Sequence, residues 1–218
     1  MIVISLGGSV IVPDEIDYSF LNYFKKIISK RKEKFVIVTG GGSIARKYIN
    51  GLKDASTKNK SLMGIAVTRL NAKFMYNFFG LNYTKLPHSL KEVKNMLIKN
   101  KIVFCGALRY EPNQTTDGTA AEIARYLKTD MLINVTNIDG LYNKNPKTNK
   151  NARFISKISF DDFYKMVSKI KFKAGQHFVL DFAAAKIIRK NNIKTVIVGR
   201  KNLEKVLKGK TFRGTVIS

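Results

Sequence analysis

Two glycine clusters have the types and spacing that most clearly suggest chemistry in this chain. Gly7-Gly8-Ser9 follows the apolar run at residues 2–4, and Gly40-Gly41-Gly42-Ser43 follows the apolar run at 35–38. Glycine lets the backbone turn sharply and present its N–H groups to a ligand. A helix that begins at such a turn adds unpaired N–H donors, which favour phosphate. The clusters predict paired phosphate-binding loops of a phosphoryl-transfer enzyme, with two tight β–α turns as the alternative.

Further polar residues could join these loops at one site. Arg46 follows the second cluster by about one helical turn, so its side chain can return toward a bound phosphate. Polar segments at residues 106–117 and 136–140 come after two more apolar runs. In a parallel sheet, ligands bind beyond the carboxyl ends of the strands. Four polar loops at one edge therefore predict a single large site.

The elements that must position these loops alternate between strand and helix. Apolar runs predict strands at residues 2–4, 35–38, 102–105, 131–136, 195–199 and 214–217. Helical patterns occupy residues 17–31, 62–79, 89–99, 117–128, 159–168 and 182–190, and residues 51–60 are predicted to form a polar break. This alternation predicts an α/β fold with a mainly parallel sheet covered by helices on both faces. Its size fits one domain or two closely merged lobes.

The composition favours an anionic partner without identifying one. The 218 residues include 40 Lys+Arg against 15 Asp+Glu, a formal net charge of +25. This field attracts nucleic acids, anionic membranes and nucleotides. The basic residues are scattered and no zinc spacing or RNA-recognition motif is present, so nucleic acid is an unlikely main partner. No apolar stretch predicts a membrane span or a signal peptide. A cytoplasmic protein is expected, with Cys105 as an inert core thiol.

Several motifs, in one order along nearly the whole chain, resemble the amino acid kinase family. They are Gly7-Gly8-Ser9, Gly40-Gly41-Gly42-Ser43-x-Ala45-Arg46, Thr115-Thr116-Asp117-x-x-Ala120-Ala121 and Thr136-Asn137-x-Asp139-Gly140-x-Tyr142-x-x-x-Pro146. Similarity to the archaeal-type uridylate (UMP) kinases is carried by Gly64-Ile65-x-x-Thr68-Arg69-x-Asn71-Ala72, Lys173-Ala174-Gly175 and Leu180-Asp181-x-x-Ala184-Ala185-Lys186. The resemblance implies a single domain over residues 1–218, a three-layer αβα sandwich around a mainly parallel open sheet. Its acceptor-binding half would span about residues 1–128 and its ATP-binding half about 129–218.

The activity that the resemblance implies is transfer of the ATP γ-phosphate to UMP, giving UDP and ADP in pyrimidine nucleotide biosynthesis. It also implies Mg²⁺ carried with ATP, no separate metal site on the protein, and a hexamer built as a trimer of dimers. Two alternatives stay open. One is a family enzyme with another small acceptor, such as a carboxylate, carbamate or isopentenyl phosphate. The other is a catalytically reduced, nucleotide-binding regulatory protein.

Roles for individual residues also follow from the resemblance. Asp117 would organise the positive groups at the reaction centre, with Arg46 and Lys147 as catalytic cations. The implied ATP-binding residues are Gly8, Ser9, Gly42, Arg46, Thr136, Asn137, Tyr142 and Asn145. The implied UMP-binding residues are Gly41, Ser61, Arg69, Leu108, Arg109, Gln114, Thr115 and Thr116.

The chain departs from the family pattern at several of these positions. Ser5 stands where many members carry a catalytic lysine, so another cation, Arg46, Lys147 or Arg109, is expected to serve. Ser61 replaces an acidic residue that holds the UMP ribose, and Asn145 replaces an acid of the ATP loop. Residues 106–114 also form a longer loop than usual. These departures leave the identity of the acceptor open.

Overall fold

A seven-stranded sheet, in the order β3-β2-β1-β4-β8-β9-β7, forms the centre of the molecule. The computed structural model describes residues 1–82, 85–144, 146, 149–169 and 180–218. The strands are β1 Ile2–Leu6, β2 Phe35–Thr39, β3 Ile102–Cys105, β4 Met131–Thr136, β5 Leu141–Tyr142, β6 Phe154–Ile155, β7 Lys157–Ile158, β8 Thr195–Gly199 and β9 Gly214–Ile217. Strands β3, β2, β1, β4 and β8 are parallel neighbours, β9 runs antiparallel to β8, and β7 is parallel to β9. Strands β5 and β6 form a separate antiparallel hairpin.

Most of the longer helices begin at a side chain that caps their first turn. The helices are α1 Gly8–Ile11, α2 Tyr18–Ser29, α3 Gly42–Gly51, α4 Thr57–Phe78, α5 Leu90–Lys99, α6 Thr116–Leu127, α7 Phe160–Ser168, α8 Phe182–Lys190 and α9 Leu203–Leu207. Backbone N–H groups of the first turn donate to the side chains of Asp17, Ser56, Ser89, Thr115, Ser159 and Asp181. Each cap satisfies a donor that the helix cannot pair internally.

Two hydrophobic clusters cover the two faces of the sheet. Successive side chains of a strand point to opposite faces, so Ile4 joins one cluster and Val3 the other. Helices α1, α2, α4 and α9 pack on the Ile4 face, and helices α5 to α8 pack on the Val3 face. The predicted αβα arrangement around a mainly parallel sheet is confirmed. Cys105 lies in the core as predicted, where burial raises the pKa of its thiol to about 12.

The chain order places a switch point between β1 and β4. From β1 the chain moves outward to β2 and β3, and it then returns to the other side of β1 to form β4. The connections that leave β1 and β4 therefore run toward opposite edges of the sheet. Such switch points are the usual ligand sites of open α/β sheets.

The structure corrects some of the predicted boundaries. Helix α4 begins at Thr57 with Ser56 as its cap, so the polar break predicted for residues 51–60 is limited to residues 52–56. The sequence patterns also did not predict α1 or the two-residue strand β7. In the part of the chain that the structure describes, no helix combines the length and apolarity needed to cross a membrane.

Candidate active site

The two glycine loops touch each other at the switch point. Gly40 N–H donates to the Leu6 carbonyl at 2.9 Å, and Gly7 N–H donates to the Val135 carbonyl of β4 at 3.0 Å. A Cβ atom placed on Gly8 would lie 1.9 Å from the Gly42 nitrogen. Glycine is therefore required at position 8 for the two loops to approach this closely.

Backbone donors remain available on both loops. Among the described residues, no acceptor pairs with the N–H groups of Gly8, Ser9, Gly41 and Gly42. Gly42 also has a positive φ of 66°, a conformation that other residues adopt at a cost. This arrangement brings the predicted phosphate-contacting residues of both loops to one place.

Arg46 supplies a cation beside the second loop. It lies one turn into α3 and is partly buried. Its guanidinium has no ion-pair or hydrogen-bond partner among the residues described. Arg46 is therefore available to an anionic ligand, as its predicted role requires.

Asp117 lies in the first turn of α6, where it meets the two central strands. Ser5 Oγ donates to Asp117 Oδ1 at 2.6 Å, and Asn134 Nδ2 donates to the same oxygen at 2.8 Å. Ser5 and Asn134 are register partners on β1 and β4, so the carboxylate bridges the switch point. Within the described part of the chain, no donor reaches Asp117 Oδ2. One carboxylate oxygen is fixed by protein and the other is left for a ligand.

The pKa of Asp117 is raised from 3.8 to about 7. Burial is the main cause because it disfavours the charged form, and the negative charge of Asp181 adds to it. The hydrogen bonds from Ser5 and Asn134 act in the opposite direction but are weaker. The raised pKa favours the protonated form of the ligand-free carboxyl, and a nearby cation would favour its ionised form.

Arg69 holds the backbone of the loop on the acceptor side. Its Nε donates to the Ala107 carbonyl at 3.0 Å, and its Nη2 donates to the Leu108 carbonyl at 2.7 Å. Thr68 Oγ1 accepts from Ala107 N–H at 3.0 Å, so two consecutive residues of α4 fix this segment. Burial lowers the pKa of the Arg69 guanidinium. In this structure Arg69 shapes the loop that includes the buried Leu108, and its contact with UMP stays a prediction.

Arg109 is paired with a carboxylate in this structure. Its Nη1 and Nη2 donate to the two carboxylate oxygens of Glu122 at 3.1 and 2.8 Å, and Glu111 lies 3.5 Å from its Nε. A role as the cation that replaces the family lysine would require this pair to break. Arg109 is therefore a weaker candidate for that role than Arg46.

Asp181 is a site residue that the sequence analysis placed in a motif without a role. Its Oδ2 accepts from Thr115 N–H at 2.7 Å, from the Thr115 hydroxyl at 2.6 Å and from Gly118 N–H at 3.2 Å. Its Oδ1 accepts from Ala184 N–H at 2.7 Å and caps α8. An Asp directly before a helical pattern predicts a helix cap. The partners of Asp181 Oδ2, however, lie 63 and 66 residues away in the sequence.

The predicted donor side includes the end of β4 and the β5–β6 hairpin. Thr136 ends β4, and Asn137 is exposed after it. The Tyr142 ring packs edge-on against Phe154, with ring centroids 5.4 Å apart. The Arg213 guanidinium lies 4.7 Å from the Phe154 ring centroid. Contact of Tyr142 with the nucleotide base stays a prediction, and Asn145 and Lys147 lie outside the described residues.

The other predicted acceptor residues occupy the opposite side. Ser61 lies in α4 and is partly buried. Its hydroxyl has no hydrogen-bond partner in the described part of the chain. The Gln114 side chain lies over Gly118, where an added Cβ would be 2.4 Å from Gln114 Cγ. Among the described residues, no three or more His, Cys, Asp or Glu side chains form a group that could hold a metal ion.

The model of the amino acid kinase family matches residues 1–199 of the chain. The chain belongs to the amino acid kinase family. Its relatives include the uridylate kinase of Thermococcus kodakarensis, which is 37% identical over 224 residues that cover 99% of this chain and 98% of that protein. A uridylate kinase from Archaeoglobus fulgidus is 36% identical over 221 residues, covering 100% of this chain and 99% of that protein.

Solved structures of family members have the same fold. The crystal structure of the uridylate kinase from Archaeoglobus fulgidus matches with a TM-score of 0.86 and 34% identity, covering 100% of this chain and 99% of that one. The UMP kinase from Ureaplasma parvum matches with a TM-score of 0.76 and 25% identity, covering 100% of this chain and 97% of that one. The family that the motifs suggested is thus confirmed over the full length of the chain.

Proposed function

We propose that this protein is a uridylate kinase that transfers the γ-phosphate of ATP to UMP and releases UDP and ADP. The observation that carries the proposal is the position of Asp117. Its carboxylate accepts hydrogen bonds from Ser5 and Asn134 at the switch point. Ser5 lies two residues before the first glycine loop. The full-length similarity to uridylate kinases supports UMP as the acceptor.

The chemistry requires alignment and charge neutralisation more than covalent participation. The acceptor is a phosphate oxygen of UMP, which is already a nucleophile near neutral pH, so no general base is needed. Free N–H groups of the two glycine loops would bind the phosphates on either side of the transferred group. Arg46 would neutralise charge there, since it has no partner among the described residues.

Mg²⁺ carried with ATP fits the side chains that the structure shows. Mg²⁺ in kinase sites is held by one or two carboxylates and by substrate phosphates. Asp117 Oδ2 is the carboxylate oxygen that no described residue occupies, and it is the candidate ligand or outer-sphere partner. When bound, the ion would supply positive charge at the β- and γ-phosphates.

The remaining assignments extend this proposal to the whole protein. The chain would act as one domain, with acceptor-binding residues mainly in 1–128 and ATP-binding residues mainly in 129–218. It would function in pyrimidine nucleotide biosynthesis in the cytoplasm, as a hexamer built from three dimers. Sedimentation of the purified protein would measure the oligomeric state directly.

The activity can be tested with purified protein, Mg²⁺-ATP and a panel of acceptors. The panel contains UMP, CMP, isopentenyl phosphate and carbamate, and both ADP and the phosphorylated product are measured. Equal amounts of UDP and ADP with UMP as the preferred acceptor are expected. Preference for another acceptor would keep the chain in its family but reject UMP. Binding of ATP without turnover of any acceptor would favour a regulatory protein.

A further inference from the structure

One buried carboxylate joins the N-termini of two helices in this site. Asp181 is only 8% exposed. Its Oδ1 caps α8 through Ala184, and its Oδ2 accepts from Thr115 and Gly118 at the start of α6. The bonds from Gly118 and Ala184 are buried and those from Thr115 are partly buried, so water competes least with the first two. Asp181 therefore fixes the backbone on both sides of Asp117.

The direction of the Thr115 hydroxyl follows from these contacts. A threonine hydroxyl has one proton to donate. In Thr115 that proton goes to Asp181 Oδ2 over 2.6 Å, while Thr115 Oγ1 accepts from Asp117 N–H at 3.2 Å. The Thr115 N–H is also bonded to Asp181. Thr115 thus has no donor left for a phosphate oxygen.

Thr116 differs from its neighbour in this respect. Its side chain is partly buried, and no described residue forms a hydrogen bond with its hydroxyl. It is the first residue of α6, where the helix dipole favours an anion. Of the two threonines, Thr116 is the one that can donate to a bound phosphate.

We infer that Asp181 and Thr115 are positioning residues that orient Asp117, and that Thr116 alone of the two threonines contacts the acceptor phosphate. The inference rests on the proposed kinase function. It divides the Thr115-Thr116-Asp117 motif into three roles: one residue that orients, one that binds and one that organises charge. The chain from Asp181 through Thr115 to the Asp117 backbone is the physical link between them.

The same substitution at the two adjacent threonines separates these roles. Thr115→Val removes the link, so kcat should fall by about tenfold or more while KM for UMP changes less than about twofold. Thr116→Val removes a phosphate donor, so KM for UMP should rise by about tenfold or more with ATP affinity kept. If Thr115→Val instead raises KM for UMP as strongly as Thr116→Val does, Thr115 contacts the acceptor and the inference is wrong.

Asp181→Asn tests the first member of the link. The asparagine amide turns a donor toward N–H groups that need an acceptor, so kcat should fall as it does in Thr115→Val. Because both act through one chain of hydrogen bonds, the double variant should lose less than the product of the single losses. Strict multiplication of the two losses would contradict the link. Ser159→Ala is the matched control, since Ser159 caps only α7 and its loss should lower the melting temperature without changing kcat or KM.

The inference can still be tested if a variant does not fold or if the parent protein is inactive. If Asp181→Asn does not fold, the Thr115→Val and Thr116→Val pair decides alone. If the unmodified protein does not phosphorylate UMP, the proposed function fails, and amide hydrogen exchange then decides the positioning role. Faster exchange of Asp117 N–H in Thr115→Val, with no change in Thr116→Val, is the expected result. Equal exchange in both variants would overturn the inference.

Discussion

The predicted acceptor side and the predicted donor side of this site are held in different ways. On the acceptor side, residues 106–118 are fixed by Arg69 on backbone carbonyls and by the buried carboxylate of Asp181. On the donor side, the β5–β6 hairpin has two residues in each strand and is flanked by the Arg213–Asp139 pair, whose side chains are 57% and 47% exposed. Buried bonds to backbone groups hold geometry more firmly than an exposed ion pair does.

This difference indicates where each substrate obtains its specificity. Backbone groups at the two ends of the predicted acceptor loop, at Ala107, Leu108 and Thr115, are already paired with side chains of α4 and with Asp181. The donor hairpin is joined to the sheet mainly through Thr215, which accepts from Leu141 N–H at 2.8 Å and donates to the Ile155 carbonyl at 2.5 Å. Single substitutions should therefore affect discrimination among acceptors more than discrimination among nucleotide donors.

The glycine junction belongs to both sides, and breaking it should have the largest effect. In Gly8→Ala the new Cβ would meet backbone atoms of Gly40, Gly41 and Gly42 at 2.7 Å or less, and backbone cannot move aside cheaply. We expect a loss of stability on the order of 4 kcal/mol or more, with no activity toward either substrate. Gly51→Ala is the control, since nothing lies within 4 Å of its Cβ position. Circular dichroism melts of both variants provide the measurement.

Asp117→Asn should separate activity from stability. The amide keeps the shape of the carboxyl but cannot organise cations, so kcat should fall by about 10²–10⁴-fold. The folded protein raises the pKa of Asp117 to about 7, so it favours the protonated form. The stability linked to this group is therefore present at low pH and is lost as the pH rises through 7. Above pH 7 the variant should be more stable than the parent, by at most about 4 kcal/mol.

Melting temperatures and rates between pH 5 and 9 check both parts of this prediction. The parent enzyme should gain activity as the pH rises through about 7, where the Asp117 carboxyl ionises. Bound Mg²⁺-nucleotide should move this transition to lower pH, because positive charge favours the carboxylate. An Asn variant that is less stable than the parent at pH 8 would contradict the raised pKa of Asp117.

Arg69→Met tests the acceptor side alone. Methionine keeps much of the length of the side chain but loses both bonds to the Ala107 and Leu108 carbonyls. KM for UMP should rise about 10- to 100-fold because hydrogen bonds from a charged group are worth about 1.5–3 kcal/mol each and water recovers part of the loss. KM for ATP should stay within about twofold. Arg125→Met is the control, since the exposed Arg125 guanidinium has no partner among the described residues. Initial rates with both substrates varied give the two constants.

The sequence predicted those parts of the fold and site that are local. Strand β8 and helix α8 have the predicted bounds because each is a continuous apolar or amphipathic run with clear ends. The start of α4 at Thr57 was missed because its first turn is solvated and contains no apolar residue to show the helical period. Strand β7 was missed because its two residues are strand only through pairing with β9.

Side-chain partners distant in sequence were the least predictable part of the site. Arg69 reaches carbonyls 38 and 39 residues away, and Asp181 reaches Thr115 across 66 residues. A motif shows that these residues occur together, but it does not show which of them faces the substrate and which faces the protein. Ser5 is a further case. Its replacement of a family lysine is visible in the sequence, whereas its hydrogen bond to Asp117 is visible only in the structure.

Arg213→Met should have the smallest effect and is the matching test on the donor side. It removes an exposed ion pair to Asp139 and a cation–π contact with Phe154. Both interactions lie at an exposed site, where each contributes little, so KM for ATP should rise only about 2- to 5-fold with KM for UMP unchanged. The same initial-rate experiment as for Arg69→Met measures both constants. A rise in KM for ATP larger than the Arg69→Met effect on UMP would reverse the comparison and make the donor hairpin the more rigidly determined side.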